Sequence, residues 1–376
     1  MGGIGRVLII APMAPPSGGM ALQAALLKQL LEKDGAAVSF LASNFDLPDK
    51  LRSWQHVTGV RTIVRSILIW IRLWRAVRQV DVVHVFAASW LYFFVVVCPS
   101  ILVGQALRRR TVLNYRGGDA GAFFRRWGGL VKPIVRAATI VTAPSQFLAQ
   151  LIQTTFGVPV TVVPNILDTS AFPFQHRSTF EPRLLVNRTL EKLYDIPSVL
   201  RAFRQIRESY PDASLWIAGT GTEEPQLRSL AAAWKLDGVR FLGHIDHAEL
   251  PAIYGQRDIL VNASTVDNFP AALMEASAAG LVVVSTDAGG IPFLYRNESS
   301  ALLVRVGDWQ ALSTAVDRVI RDPAMAARLA GEAHGLTRQC SWEMMRQPLY
   351  AAYGLAAEEG AERPANGREA VGDRRS

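Results

Sequence analysis

Two acidic residues, Asp267 and Glu275, are separated by seven intervening residues in the stretch NASTVDNFPAALMEASAAGLVVVSTDAGG. Asp267-Asn268-Phe269-Pro270 has the composition of a loop, and residues 271–279 predict a helix that begins at Ala271, with Glu275 in its second turn. The first turn of a helix presents free backbone N–H groups and a positive dipole, which suit a phosphate. The two carboxylates could then hold hydroxyls of a sugar or a ribose on either side. The spacing equally fits a capping aspartate followed by an ordinary helix glutamate.

Short apolar runs rich in β-branched residues predict the strands that must position this loop. A first set lies at residues 6–11, 38–42, 82–86, 111–114 and 140–143. A second set lies at residues 184–186, 214–218, 239–242, 259–261 and 282–285. Helical patterns separate the runs, which predicts two parallel sheets covered on both faces. Two such units leave a crevice at the carboxyl ends of their strands, where ligands bind.

The chain resembles the retaining glycosyltransferases of family four over about residues 5–355. The residues that carry the resemblance begin at the second acidic residue and occur in the family's order: Glu275-Ala276, Ala279-Gly280, the apolar run 281–285 and Gly289-Gly290-Ile291-Pro292. The resemblance implies the GT-B fold, an α/β architecture in which two Rossmann-like domains face each other across a cleft. We expect an acceptor-side domain over 1–175, a nucleotide-sugar domain over 176–340, and a helix at 341–356 that crosses back to the first domain. The composition of residues 357–376 predicts a disordered tail.

The same resemblance implies a set of site residues. Arg188 and Lys192 correspond to the family's two cations on the donor diphosphate, and with Asp267 and Glu275 they form the expected catalytic group. Solvated side chains after a strand are the alternative for the two cations. The remaining residues implied to bind the donor are Gly18, Gly19, Arg116, Gly221, Gly243, His244, Asn268, Phe269, Pro270 and Ala271. His244 fits a surface position nearly as well as a place beside the nucleotide base.

Two residues depart from the family pattern. Asp267 is one methylene shorter than the family's glutamate, and Arg116, within Tyr115-Arg116-Gly117-Gly118-Asp119, stands where the family often carries a histidine near the donor sugar. Both changes bear on the identity of the sugar more than on the class of reaction.

The implied activity is transfer of a sugar from a UDP- or GDP-sugar to a hydroxyl of a glycan or lipid-linked acceptor, with retained configuration. No Asp-x-Asp motif is present, and we expect neither a metal nor another cofactor. Three alternatives stay open: a nucleotide-sugar epimerase of similar fold, an inactive scaffold that keeps the fold, and a nucleic-acid-binding protein.

Positive charge is concentrated in the first half of the chain, within a total net charge of +8. Residues 1–170 hold 18 Lys and Arg against 7 Asp and Glu, which indicates an anionic partner. No nucleic-acid motif is present, so we expect no nucleic acid. Arginines interleave with Trp54, Trp70 and Trp74 over residues 52–78, a pattern typical of a helix on an anionic membrane surface, although a helix packed on its own sheet also fits.

Weaker features of the sequence indicate the cellular compartment of the protein. Residues 85–104 carry no charge and are long enough to span a membrane, but they follow a strand and contain Pro99, which favours a buried helix. Only two cysteines, Cys98 and Cys340, are present, and no secretory signal is visible. We therefore expect a cytoplasmic protein attached peripherally to the inner face of the membrane.

Overall fold

A computed structural model describes residues 5–14, 18–45 and 58–355, with the side chains of the helix that starts at residue 58 described from residue 64 onward. The expected disordered tail at 357–376 lies outside the described residues. Two six-stranded parallel sheets organise the chain.

The first sheet has the strand order β2-β1-β3-β4-β5-β6. Its strands are β1 (Arg6–Ala11), β2 (Ala37–Ala42), β3 (Val82–Ala87), β4 (Arg110–Tyr115), β5 (Ile140–Ala143) and β6 (Val160–Val162). The five predicted strands are present with their ends shifted by at most one residue. Strand β6 was not predicted, because three residues at a sheet edge form no apolar run.

The second sheet has the order β12-β11-β10-β7-β8-β9. Its strands are β7 (Arg183–Asn187), β8 (Ser214–Ala218), β9 (Val239–Gly243), β10 (Ile259–Asn262), β11 (Val282–Thr286) and β12 (Leu302–Val304). All five predicted strands are again present, and the short edge strand β12 is the addition. Paired parallel sheets confirm the expected GT-B fold class.

Helices cover both faces of each sheet. Those of the first half are α1 (Gly19–Lys33), α2 (Thr58–Val77), α3 (Cys98–Ala106), α4 (Ala120–Ala137) and α5 (Gln146–Phe156). Those of the second half are α6 (Ile196–Ser209), α7 (Glu224–Ala233), α8 (Leu250–Gly255), α9 (Ala271–Ala278), α10 (Ile291–Leu294), α11 (Trp309–Arg321) and α12 (Pro323–Thr337), followed by α13 (Trp342–Tyr353).

Helix α13 crosses back to the first domain as expected. Met345, Leu349 and Tyr353 are buried in one cluster with residues of β1 and α1. Trp342 Nε1 and Tyr350 OH both donate to Asp34 Oδ2, at 3.0 and 2.6 Å, which holds the helix against the end of α1.

The connection between the two sheets is anchored on both sides of the expected boundary at residue 175, which falls between β6 and β7. The Gln23 side chain exchanges two hydrogen bonds of 2.8 Å with the backbone of Ile166 on the first-domain side. On the other side, Arg177 and Arg183 donate to the fully buried Asp258 at 3.0 and 2.5 Å. The boundary itself stays a prediction.

The uncharged stretch at 85–104 is divided between the end of β3, a π-helical turn at Phe93–Val97 and most of α3, with Pro99 in the first turn of that helix. Within the described ranges, no helix has both the length and the apolar character needed to cross a bilayer.

Candidate functional site

Arg188 lies directly after β7, where its guanidinium meets the loop that follows β10. Arg188 Nη2 donates to Asp267 Oδ2 at 2.6 Å, and Arg188 Nε donates to Asn262 Oδ1 at 3.0 Å. Both side chains of the ion pair are only 11% exposed. Because β7 and β10 are parallel neighbours, residues at their carboxyl ends meet at one edge of the sheet. The structure thus joins two residues of the expected catalytic group that are 79 positions apart.

The Arg188 side chain is held from three sides. Tyr194 places its ring 5.0 Å from the guanidinium carbon, a cation–π contact. Asn262, which accepts from Nε, is itself fixed because Ser264 Oγ donates to its Oδ1 at 2.8 Å and its Nδ2 donates to Ser285 Oγ at 2.9 Å. Within the part of the chain that the structure describes, Nη1 has no recorded partner. The guanidinium is therefore pre-positioned with donor capacity left over, as an anion-binding group requires.

The Gly289-Gly290 turn supports the loop that carries Asp267. Gly290 N donates to Asp267 O at 2.7 Å. A Cβ atom on Gly289 would overlap Asp267 O, and one on Gly290 would overlap Asn268 O. Gly289 also has a φ of +53°, in the left-handed region. This close approach explains why two glycines stand here.

The loop from Asp267 to Pro270 reaches across to the first domain. Asn268 Nδ2 donates to Gly117 O at 2.7 Å, and Asn165 Nδ2 approaches Phe269 O at 3.4 Å. Asn165 Oδ1 in turn accepts from Arg116 Nη2. The two neighbours of Asn165 in space lie 49 and 104 positions away along the chain, so no local pattern indicates these contacts.

Glu275 is buried inside α9 with two hydrogen-bonding neighbours. Tyr254 OH donates to Glu275 Oε2 at 2.9 Å, and His247 Nε2 lies 3.3 Å from Oε1. Asn187 Nδ2 donates to Tyr254 OH at 2.8 Å, which links Glu275 to the residue that precedes Arg188. The hydrogen bond and the negative charge of Glu275 raise the pKa of His247. His247 carried no motif in the sequence, so only the fold shows its position.

Lys192 begins the 3₁₀ turn at Lys192–Tyr194, whose Tyr194 contacts Arg188. The Lys192 side chain is exposed and lines a cavity of about 200 Å³ together with Glu191, Asp195 and Glu223. Glu191 is held by Thr222, whose backbone N and Oγ1 donate to it at 3.1 and 2.7 Å. No ion pair of the Lys192 ammonium is recorded among the described residues, so it stays available to a ligand.

Comparison with known proteins agrees with this geometry. The family "Glycosyl transferases group 1" matches residues 169–334, and "Glycosyltransferase Family 4" matches residues 17–171. A glycogen synthase of Mycobacterium tuberculosis is 30% identical over 308 residues, which cover 78% of this chain and 72% of that protein. The chain belongs to the group 1 glycosyltransferases. Its activity is therefore sugar transfer, as the resemblance implied.

Other proteins resemble this glycosyltransferase over a shorter part of the sequence, or share its fold at lower sequence identity. A D-inositol 3-phosphate glycosyltransferase of Actinosynnema mirum is 34% identical over 149 residues, 38% of this chain and 34% of that protein. Among solved structures, sucrose-phosphate synthase from Thermosynechococcus elongatus superposes with a TM-score of 0.74 at 18% identity, covering 93% and 98% of the two chains. Anabaena Alr3699/HepE in complex with UDP and glucose superposes with a TM-score of 0.71 at 16% identity, covering 93% and 100%.

The loop after β8 packs against the loop that carries Arg188 in this glycosyltransferase. Leu190 N donates to Thr220 O at 3.0 Å, and Cβ atoms on Gly219 or Gly221 would overlap the backbone of Arg188 or Leu190. Gly221 is thus required sterically beside the site. Its expected contact with the donor stays a prediction.

The remaining expected donor-binding residues are less closely joined. Gly18 and Gly19 begin α1, with open space where a Cβ atom would stand, while the preceding Ser17 lies outside the described residues. Gly243 has a φ of +72° and accepts from Gly219 N at 2.7 Å. His244 is exposed, and its Nε2 lies 3.5 Å from Asp246 Oδ1.

Proposed function

We propose that this glycosyltransferase takes its sugar from a nucleoside diphosphate donor bound between Arg188 and the Asp267 loop. The buried ion pair between these two residues carries the proposal, because it sets a fixed cation beside a fixed carboxylate at the cleft. Arg188 Nη1 and the Lys192 ammonium would offset the charge that develops on the departing diphosphate, so the reaction needs no metal or other cofactor. The HepE structures, which contain UDP or UDP-glucose, support this class of donor.

The proposed stereochemistry is retention by attack on the face of the departing diphosphate. The acceptor oxygen bonds to the anomeric carbon as the bond to phosphate oxygen breaks, and the acceptor's proton passes to the diphosphate. Asp267 Oδ2 is engaged by Arg188 at 2.6 Å, and Glu275 is engaged by Tyr254 and His247. Neither carboxylate is thus placed as a free nucleophile. Asp267 would orient hydroxyls of the donor sugar, and Glu275 would hold the ribose.

To test the proposal, UDP- and GDP-sugars are screened for thermal stabilisation of the protein. Nucleotide release and product formation are then measured with sugar acceptors. Transfer with retained anomeric configuration supports the proposal. Release of nucleotide with an epimerised free sugar would favour the epimerase, and binding without turnover would favour the scaffold. Activity that persists unchanged in EDTA is expected, and its loss would contradict metal independence.

We further propose that the first domain attaches to the cytoplasmic face of an anionic membrane, where it meets a lipid-linked or glycan acceptor for glycolipid or polysaccharide synthesis. Helices α2, α3 and α4 lie side by side on one face of the first sheet. Four large apolar side chains of α2 remain exposed on that side: Ile67, Trp70, Ile71 and Trp74. On α4, Trp127 and Leu130 are exposed as well.

Basic residues accompany this apolar surface. Arg75 is exposed on α2 and Arg78 in the turn that follows it, and Arg125 and Arg126 are exposed on α4. Apolar side chains flanked by arginines suit the boundary between lipid headgroups and acyl chains. The arginine and tryptophan at 52–54 in the same sequence pattern lie outside the described residues.

Flotation with vesicles tests the attachment. We expect binding to phosphatidylglycerol vesicles that weakens with salt and is lost in a Trp70→Ser/Trp74→Ser variant. Met344→Ser, which removes an exposed apolar side chain on α13, is the matched control and should float like the parent protein. Binding that ignores lipid charge and salt would overturn the proposal.

A further inference from the structure

Arg116 is a cation without a carboxylate partner at the seam between the two domains. Its guanidinium donates to Asn165 Oδ1 and lies 5.0 Å from the Phe86 ring centroid, and no ion pair is recorded for it among the described residues. Burial lowers the pKa of Arg116 to about 10, so the group stays charged at neutral pH. Burial, with a smaller contribution from the charge of Arg116, lowers the pKa of His84 to about 3, which leaves that neighbour neutral.

Asn268 contributes an unpaired acceptor at the same seam. The side chain is 7% exposed and its Nδ2 donates to Gly117 O at 2.7 Å. Its Oδ1 is buried, and among the described residues it has no hydrogen-bond partner. A buried acceptor of this kind is stabilised when a ligand hydroxyl donates to it.

Arg116 follows β4 of the first sheet, and Asn268 lies in the loop after β10 of the second sheet. Asn165 joins Arg116 to the carbonyl of Phe269, and Gly117, next to Arg116, receives the bond from Asn268. Arg116 is separate from the cations proposed for the diphosphate. Arg188 already has a carboxylate partner at 2.6 Å, whereas Arg116 has none. Arg116 therefore has room for a negatively charged partner, which a charged group on the donor sugar could supply.

We propose that the donor is a nucleotide-linked uronic acid, with the sugar carboxylate paired to Arg116 and a ring hydroxyl donating to Asn268 Oδ1. This inference rests on the proposed nucleotide-sugar donor. A guanidinium presents a planar fork that matches a carboxylate bidentately. A neutral hexose would leave Arg116 desolvated and without a counter-ion.

The first test compares matched donor pairs with the full-length protein: UDP-glucose with UDP-glucuronic acid, and GDP-mannose with GDP-mannuronic acid. Binding is measured by calorimetry and turnover by nucleotide release. A preference of about tenfold or more for the uronic acid within a pair is expected, as for a charge-assisted bond. Equal use or preference for the neutral hexose overturns this inference and leaves the proposed function intact. Failure of all four to bind contradicts the proposed function itself.

Substitutions of Arg116 distinguish two possible partners of its guanidinium, the sugar carboxylate and the diphosphate. Arg116→Ala and Arg116→His should each reduce kcat/KM for the uronic-acid donor about tenfold more than kcat/KM for the neutral donor. Equal loss toward both donors would assign Arg116 to the diphosphate and overturn the inference. Arg136→Ala is the control: among the described residues, its guanidinium donates to Phe156 O alone, at 3.1 and 3.2 Å, in the same domain. Thermal melts check that each variant folds. If a variant does not fold, the comparison of matched donor pairs with the unaltered protein still tests the inference.

Discussion

Arg188 Nη2 and Asp267 Oδ2 lie 2.6 Å apart in an ion pair that joins the carboxyl ends of two neighbouring parallel strands. Neither residue is more than 11% exposed, so the pair is screened from solvent more than a surface salt bridge is. The pair fixes the cation and the carboxylate relative to each other before any donor binds, which lowers the reorganisation that binding requires.

Removal of the Arg188 charge should abolish most of the transfer activity. We expect Arg188→Ala to reduce kcat by about 10²- to 10³-fold, since the leaving diphosphate loses its pre-positioned donor. Arg188→Lys should recover only part of the rate, because an ammonium cannot bind Asn262, Asp267 and phosphate as a planar fork does. Arg228→Ala, which breaks an exposed pair with Glu224 in the same domain, is the control for steady-state kinetics. Near-normal kcat in Arg188→Ala would refute the assignment.

Tyr254→Phe tests the link between β7 and Glu275. The substitution leaves Asn187 Nδ2 without its acceptor and Glu275 Oε2 without its donor, at an expected cost of about 1–3 kcal/mol in the free energy of unfolding. We also expect a raised KM for the donor, since Glu275 loses its orientation. Tyr295→Phe removes a buried hydroxyl that bonds to Ser277 and is the matched control in urea denaturation. An unchanged KM in Tyr254→Phe would show that Glu275 does not need this partner.

The His247–Glu275 contact predicts a pH-dependent stability. The pKa of His247 is raised in the folded protein, so its stabilising effect is complete below the unfolded pKa of about 6.5 and is lost as pH rises through the folded pKa. The difference in unfolding free energy between the parent protein and His247→Gln should thus be larger at pH 5.5 than at pH 8.5. His244→Gln, on an exposed histidine beside Asp246, should show a smaller change. If the difference in unfolding free energy between the parent protein and His247→Gln grew as pH rises, the change would have the wrong sign for this ion pair.

Gly290→Ala tests the support of the Asp267 loop. The added Cβ would overlap the Asn268 carbonyl oxygen, and such overpacking costs about 1–3 kcal/mol. Because the loop must shift, we expect donor binding in calorimetry to weaken as well. Gly331→Ala, in α12 where a Cβ meets nothing within 4 Å, should instead stabilise the protein by about 0.5–1 kcal/mol. Normal donor affinity in Gly290→Ala would show that the loop tolerates the shift.

Much of the fold was predictable from local patterns. Continuous apolar strands such as Val82–Ala87 are buried on both faces of a parallel sheet, so their composition alone indicates their position. The edge strands Val160–Val162 and Leu302–Val304 escaped prediction because three residues carry too little pattern. The spacing of Asp267 and Glu275 and the family resemblance that added Arg188 also identified candidate site residues, while their roles toward the donor stay predictions.

The sequence by itself determined the two parallel sheets, the family and the residue types at the cleft, because burial periodicity and motif order are local properties of a chain. Only the tertiary structure decided that Asp267 pairs with Arg188, that His247 faces Glu275, and that Asn165 joins Arg116 to Phe269. These contacts depend on where loops from different strands converge. Their separations along the chain reach 104 positions, and no local pattern encodes a distance of that kind.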